Sequence, residues 1–363
     1  MKSSTLSLGK HLAAVFVSTS LVFSSVASAC TSFLLPTAEG GYIYGRSLAF
    51  GIDLESQGVA IGRGTMLKGT GLDGKAGSGR QWQAKYAAIG ASGLGLSIMM
   101  DGFNEKGLAG GLLYAPKISE YQTITPAESA ESIASYEMLL YALTNFANVN
   151  EVKEGFRKIK VNQSPHKFFK GVVPVHMTLH DASGKSIVIE YIGGELQIHD
   201  NPTGVLTNAP QFTWHLNNLG NYANLSTGNP APIAVGDVNF APPSTGVGMM
   251  GLPGDYSSPS RFVRAFFMAQ NAPRKQDATQ QVANAFHILN NFDIAPGMIS
   301  ANGDNYEKTA WVSVSDIKNK VFYIRTFGNP TVHTIRMADI NLDLPGIKTY
   351  NLDTPWIVNV LSD

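Results

Sequence analysis

Two hydrophobic periods run along the chain. Thr31 to Leu35 and Tyr42 to Phe50 are dense in aromatic and aliphatic residues and flank the turn Ala38-Glu39-Gly40-Gly41, which predicts a β-hairpin. Val59 to Ile61, Tyr86 to Ile89 and Leu108 to Tyr114 predict further short strands. Between Ser129 and Ala147 the apolar residues Ile133, Tyr136, Leu139, Leu140 and Leu143 fall at helical spacing, so a helix is expected there, with a second over Glu151 to Lys158. Val175 to Leu179 and Ser186 to Tyr191 flank Asp181-Ala182-Ser183-Gly184 as a second hairpin, and Glu195 to His199 adds a strand. Pro259 to Gln270 and Thr279 to Asn290 predict helices; Trp311 to Val314 and Val321 to Thr326 predict a strand pair around Lys318-Asn319. Asn224 to Gly254, rich in Gly, Pro and Asn, reads as a long loop or arm. Hairpins with helices in pairs give an α+β class, antiparallel sheets covered by helices.

The first 29 residues stand apart. Lys2 and Lys10 precede the apolar run Ala13 to Phe23, and Ala27-Ser28-Ala29 fits the small-x-small rule for signal cleavage. The run is shorter than the roughly 20 residues of a membrane span. The expectation is a signal peptide over residues 1–29, then one domain over 30–363, exported to the periplasm or secreted and away from the membrane once cleaved. Composition is ordinary for a globular chain, 44% hydrophobic and 15% charged, with formal net charge zero. That balance offers no electrostatic argument for a nucleic-acid partner or an anionic membrane.

Several familiar signals fail. Gly69 to Lys75 has phosphate-loop spacing, but Ala76 stands where a metal-binding Ser or Thr belongs and no clear strand precedes it, so a surface loop is expected. His176 and His180 lie four apart on a strand, about 13 Å from each other, too far to share a metal. They read as surface or core histidines. No Gly-x-Ser-x-Gly elbow occurs.

Cys30, the single cysteine, directly follows Ala27-Ser28-Ala29. Three readings are open on that residue alone. It is incidental; or it is a lipoprotein anchor, although Ala27 replaces the usual leucine and Thr-Ser-Phe-Leu-Leu enters a strand at once; or cleavage frees the α-amine of a nucleophilic cysteine. A terminal amine has a reference pKa of about 7.7–8.0 and a thiol about 8.5, so one residue can hold both nucleophile and base.

Downstream motifs separate these readings. Cys30-Thr31-Ser32-Phe33, Gly45-Arg46-Ser47-Leu48, Asp101 to Leu108 (DGFNEKGL), Asp181 to Glu190 (DASGKSIVIE), Leu206-Thr207-Asn208-Ala209-Pro210, and Gly251-Leu252-Pro253-Gly254-Asp255 leading to Ser260-Arg261-Phe262 occur in order. In these the chain resembles the choloylglycine hydrolase family of N-terminal-nucleophile hydrolases, which includes penicillin V acylases and conjugated bile acid hydrolases. The resemblance implies a four-layer αββα sandwich and hydrolysis of linear amides, with no cofactor and no metal. It implies Cys30 as nucleophile with its own amine as base, and Arg46 beside the thiol, where a guanidinium favours the thiolate. It implies Asn208 as side-chain oxyanion donor and Tyr114 as backbone donor to the same oxyanion, and Arg261 as a second arginine of the site. Such donors are each worth about 3–4 kcal/mol in the transition state.

The resemblance also implies a homotetramer joined through the arm Asn224 to Gly254, and a small-molecule amide substrate. Tyrosine at position 114 favours phenoxyacetyl or fatty-acyl amides, with N-acyl-homoserine lactones as a natural candidate; bile salts are the alternative. One position departs from the pattern. Ala49 stands where the family has an acidic residue, so a weakly active or silent binding homologue is a reading from another class. Asp53 is the nearest acidic substitute and needs a bulge around Gly51 to come back to the site.

Overall fold

A computed structural model of the chain describes residues 29–95, 98–302, 305–358 and 360, so the expected signal peptide lies outside the described residues except for Ala29. The first predicted hairpin forms: Thr31–Pro36 pairs antiparallel with Tyr42–Phe50, with Phe33 opposite Gly45. A Cβ at Gly45 would stand 2.7 Å from the Phe33 ring, so the aromatic needs glycine across from it. The hairpin continues into a five-stranded antiparallel sheet through Lys308–Asp316, Val321–Thr326 and His333–Arg336.

A second sheet has eight strands. In spatial order they are Glu195–Asp200, Ser186–Ile192, Val175–His180, Ala109–Tyr114, Asp101–Asn104, Ala88–Ser92, Gln57–Ile61 and Ile347–Asn351, all antiparallel. All six residues of Val175–His180 are buried, because its central sheet is covered on both faces. The two sheets face one another. Helices α1 (Met138–Asn145) and α2 (Val149–Phe156) cover the outer face of the larger sheet, where Leu143 O and Phe146 O accept from Asn104 Nδ2. Helices α4 (Ser258–Asn271) and α5 (Ala278–Leu289) cover the smaller sheet, and Gln281 Nε2 reaches Pro36 O at 2.8 Å. The short α3 (Phe212–Leu219) precedes the arm. The order helix, sheet, sheet, helix is the expected αββα sandwich.

The structure departs from the expected elements in places. Of the helix expected over Ser129 to Ala147, only Met138–Asn145 is α-helical. Before it, Ser132–Ala134 is a strand paired in parallel with Lys160–Asn162. Glu137 explains the switch: its carboxylate accepts from Thr70 N at 3.0 Å, Thr70 Oγ1 at 2.7 Å and Ala134 N at 2.8 Å, holding residue 134 extended against helical periodicity.

A strand, Met66–Thr70, does precede the glycine-rich loop, but another strand, Ala76–Gln83, follows it. With no helix N-terminus there, the loop is a hairpin turn and offers no phosphate site. His176 and His180 are both fully buried core residues. His180 Nδ1 lies 2.7 Å from Ser186 Oγ, while His176 Nδ1 lies 2.9 Å from Glu190 Oε1, so the two serve separate networks. The arm carries an exposed hairpin, Ile233–Val235 with Val238–Phe240. Among the described residues no helix is long and apolar enough to cross a membrane.

Candidate active site

Thr31–Pro36 is an edge strand of the smaller sheet, and an edge presents unpaired backbone groups. Here Leu206 answers them: Ser32 N donates to Leu206 O at 2.8 Å, and Leu206 N donates to Ser32 O at 3.2 Å. That one bridge brings the Val205–Asn208 segment alongside residue 30. Asn208 Oδ1 then accepts from Cys30 N at 2.9 Å, while Asn208 Nδ2 donates to Tyr114 O at 2.7 Å.

The asparagine's own backbone is braced from two helices. Asn208 N donates to Ser258 Oγ at 2.9 Å, and Ser258 Oγ, at the start of α4, donates back to Asn208 O at the same distance. His215 Nε2, on α3, lies 3.0 Å from Asn208 O; burial pulls this imidazole down to about 4, so it is neutral and supplies that N–H. One residue earlier, Thr207 O lies 2.7 Å from His176 Nε2, whose ring is held by Glu190.

Two arginines converge on Cys30, each fully sequestered from water. Arg46 Nη2 lies 4.0 Å from Cys30 Sγ, and the guanidinium also donates to Met100 O and Leu112 O of the facing sheet. Gly111 admits it: a Cβ there would stand 2.8 Å from Arg46 Nη1. Asp101 Oδ1 lies 3.8 Å from Arg46 Nη1 and balances its charge; burial pushes the Asp101 carboxyl up to about 6, against Arg46's pull downward. From the first turn of α4, Arg261 donates to Cys30 O, to Thr31 Oγ1 at 2.9 Å and to Asn208 Oδ1 at 2.6 Å. All five residues expected at the site, Cys30, Arg46, Tyr114, Asn208 and Arg261, therefore meet in one network.

Strand alternation is kept at position 49. Arg46, Leu48 and Phe50 line a common cavity, whereas Ala49 turns to the other face and packs with Ala29 and Ile294. Ala29 N donates to Ala49 O at 3.3 Å, so the residue preceding Cys30 lies alongside this alanine. The strand irregularity falls between Leu48 and Ala49, where the partner strand skips Ala310, and not at Gly51. Asp53 does not come back to the thiol. It is exposed, its Oδ1 accepts from Glu55 N at 2.8 Å, and it borders a separate surface cleft beside Lys308 and Trp311. Asp53, the nearest acidic substitute, therefore does not take the place of the missing carboxylate: the bulge around Gly51 that this required is absent from the strand pairing.

Cys30 and Arg46 border a narrow cavity of about 60 Å3 whose other walls are apolar, among them Leu48, Phe50, Ile98, Tyr114 and Phe169. The Tyr114 and Phe169 rings stack with centroids 6.2 Å apart, and Phe50 meets Tyr114 edge-on at 5.7 Å. A thiol beside a guanidinium, an amide nitrogen held by a side-chain oxygen, and a slot lined with rings and aliphatic groups can seat an acyl chain with its carbonyl at the sulfur. The braces Ser258, His176, His215 and Glu190, and the balancing role of Asp101, were not foreseen from the sequence. Asp101 and Glu190 carried a signal, since Asp101 opens one of the motifs and Glu190 closes another.

The profile of linear amide C-N hydrolases, choloylglycine hydrolase family, matches residues 30–350. A bile salt hydrolase/transferase of Clostridium perfringens is 30% identical over 332 residues, covering 91% of this chain and 99% of its own. A penicillin V acylase of Pectobacterium atrosepticum is 28% identical, covering 91% and 86%. Among solved structures, a mutant conjugated bile acid hydrolase from Clostridium perfringens superposes with a TM-score of 0.81 at 29% identity, covering 92% of this chain and all of that one. Penicillin V acylase from Agrobacterium tumefaciens gives 0.72 at 25% identity, covering 90% and 94%.

Proposed function

The chain belongs to the choloylglycine hydrolase family of linear amide C-N hydrolases, and from that premise we propose that it is an exported cysteine N-terminal-nucleophile amidohydrolase of the penicillin V acylase kind. One observation carries the reading: Cys30 N and Sγ stand in a single buried network with Asn208, Arg261 and Arg46, at the end of an apolar cavity.

Cleavage after Ala29 turns the Cys30 amide into an amine. The amine takes the thiol proton, and the thiolate attacks the amide carbonyl carbon. The oxyanion is held by Asn208 Nδ2 and the Tyr114 N–H, as preorganised donors. The ammonium then protonates the departing nitrogen, leaving a thioester on Cys30. Water, losing a proton to the amine, releases the acid and restores the thiol. Nucleophile and base come from one residue.

The apolar lining around Tyr114, Phe50 and Phe169 favours a phenoxyacetyl or fatty-acyl group, including that of an N-acyl-homoserine lactone, over a polar acyl group. The arm's hairpin exposes Ile233, Val235, Val238 and Phe240, each more than half open to water, which fits its burial against other copies in a homotetramer. Sedimentation of the purified protein tests that assembly.

Hydrolysis rates for penicillin V, a long-chain acyl-homoserine lactone and a glycine-conjugated bile acid test the substrate class. Faster cleavage of either of the first two supports the assignment. Faster cleavage of the conjugate moves the chain to the bile acid hydrolases, and no cleavage of any makes it a silent binding homologue.

A further inference from the structure

The two site arginines differ in how their charge is balanced. Arg46 has Asp101 at 3.8 Å. The hydrogen-bond acceptors of Arg261 are all neutral: Tyr256 O, Cys30 O, Thr31 Oγ1 and Asn208 Oδ1. A buried guanidinium with only neutral partners is costly, and a counter-charge within reach relieves it.

Glu307 is placed to be that counter-charge. Its side chain is 1% exposed, and Oε1 has no hydrogen-bond partner among the described residues. The residue sits just before the strand Lys308–Asp316, and its N–H donates to Ile299 O at 3.0 Å. Ile299 packs on the Ala29–Ala49–Ile294 cluster together with Tyr256, whose carbonyl holds Arg261 Nε at 2.9 Å. Glu307 thus lies beside the cluster that packs Ala29 against Ala49. Burial pushes its carboxyl up to about 7, opposed by Arg261, and the Arg261 guanidinium in turn feels both Glu307 and Cys30.

The other charged groups around Arg261 are Arg264, one turn along α4 and bonded to Pro253 O and Asp255 O, and Asp255, which accepts from Ser257 and Ser260. On the same side as Glu307, Asp293 is engaged by Arg325 at 2.9 Å. Of the carboxyl groups that Arg261 feels, Asp255 is held by serines, whereas Glu307 is buried with its Oε1 unpartnered among the described residues.

We infer that Glu307 is a positioning residue of the active site: its carboxylate balances Arg261, and through Arg261 it sets the charge felt by the Cys30 thiol and the amine that cleavage releases. It supplies negative charge on the side where Ala49 has none. The inference rests on Cys30 being the mature N-terminus and nucleophile.

Alkylation of Cys30 by iodoacetamide across pH 5 to 9, with melting curves in parallel, reads the thiol whether or not any amide is hydrolysed. Failure of the substrate panel and failure of this inference are thereby distinguishable. In Glu307→Gln the site keeps its positive charge without the counter-charge, so the midpoint of the alkylation profile moves to lower pH by on the order of one unit. Glu307→Asp, one methylene shorter, moves it less and in the same direction, and serves if the glutamine variant does not fold. Profiles of the folded variants that superimpose on wild type, or move to higher pH, overturn the inference even if melting temperatures fall.

Discussion

Cys30 N donates to Asn208 Oδ1 at 2.9 Å, across 178 positions of sequence. Arg261 Nη2 donates to the same oxygen at 2.6 Å, which fixes the side-chain amide with Oδ1 toward the nucleophile and Nδ2 toward Tyr114 O. An amide nitrogen carries two N–H groups, and only one is spent on Tyr114. Asn208 can therefore orient the base and still offer a donor to an oxyanion.

Truncating this residue separates chemistry from binding. Asn208→Ala is expected to lower kcat by about 10²–10³ with little change in KM, the signature of a lost transition-state donor. Steady-state rates on the fastest substrate measure it. A loss confined to KM contradicts the role.

Position 49 has a definite expectation too. Ala49 faces Ala29 and Ile294 while Arg46, Leu48 and Phe50 face the cavity, so a carboxylate here points away from the acyl slot. Loss of an orienting carboxylate costs up to about 10⁴ in rate where a catalytic unit depends on it. With Glu307 already on this face, Ala49→Asp is expected to change turnover less than about tenfold, far short of that figure. A silent wild type rescued by Ala49→Asp contradicts this account.

His180 ties stability to pH. Its ring is wholly buried between Ser186 Oγ and Thr178 Oγ1, and burial pulls it down to about 3, with Asp181 pulling weakly the other way. The folded pKa lies below the unfolded value of about 6.5, so the unfolded chain gains a proton first as pH falls. Stability from this group is complete above pH 6.5 and declines by about 1.4 kcal/mol per pH unit below it. Urea melts at pH 6.5 and 4.5 should show that decline in wild type, and a shallower one in His180→Gln. Equal slopes in the two proteins contradict the assignment.

Much of this was legible in the chain, for reasons that differ by residue. The hairpin Thr31–Pro36 with Tyr42–Phe50 is local, and its turn chemistry announces it. Cys30, Arg46, Asn208 and Arg261 sit inside short motifs that survive without knowledge of packing. What stayed hidden depends on distant contacts. Glu137 unwinds the start of an expected helix by reaching Thr70, 67 positions away. The two-sheet geometry sends Asp53 outward and Glu307 inward, although nothing in the periodicity around either residue distinguishes them. His176 and His180 were unreadable because a strand buried on both faces shows no alternation between polar and apolar sides.

Everything proposed for this site depends on Cys30 performing the chemistry. Initial rates of amide hydrolysis by purified wild type and Cys30→Ala, on the best substrate of the panel, decide it. Steady turnover is expected from wild type and none above the uncatalysed background from Cys30→Ala, with the variant folded. Equal rates in the two proteins would contradict it.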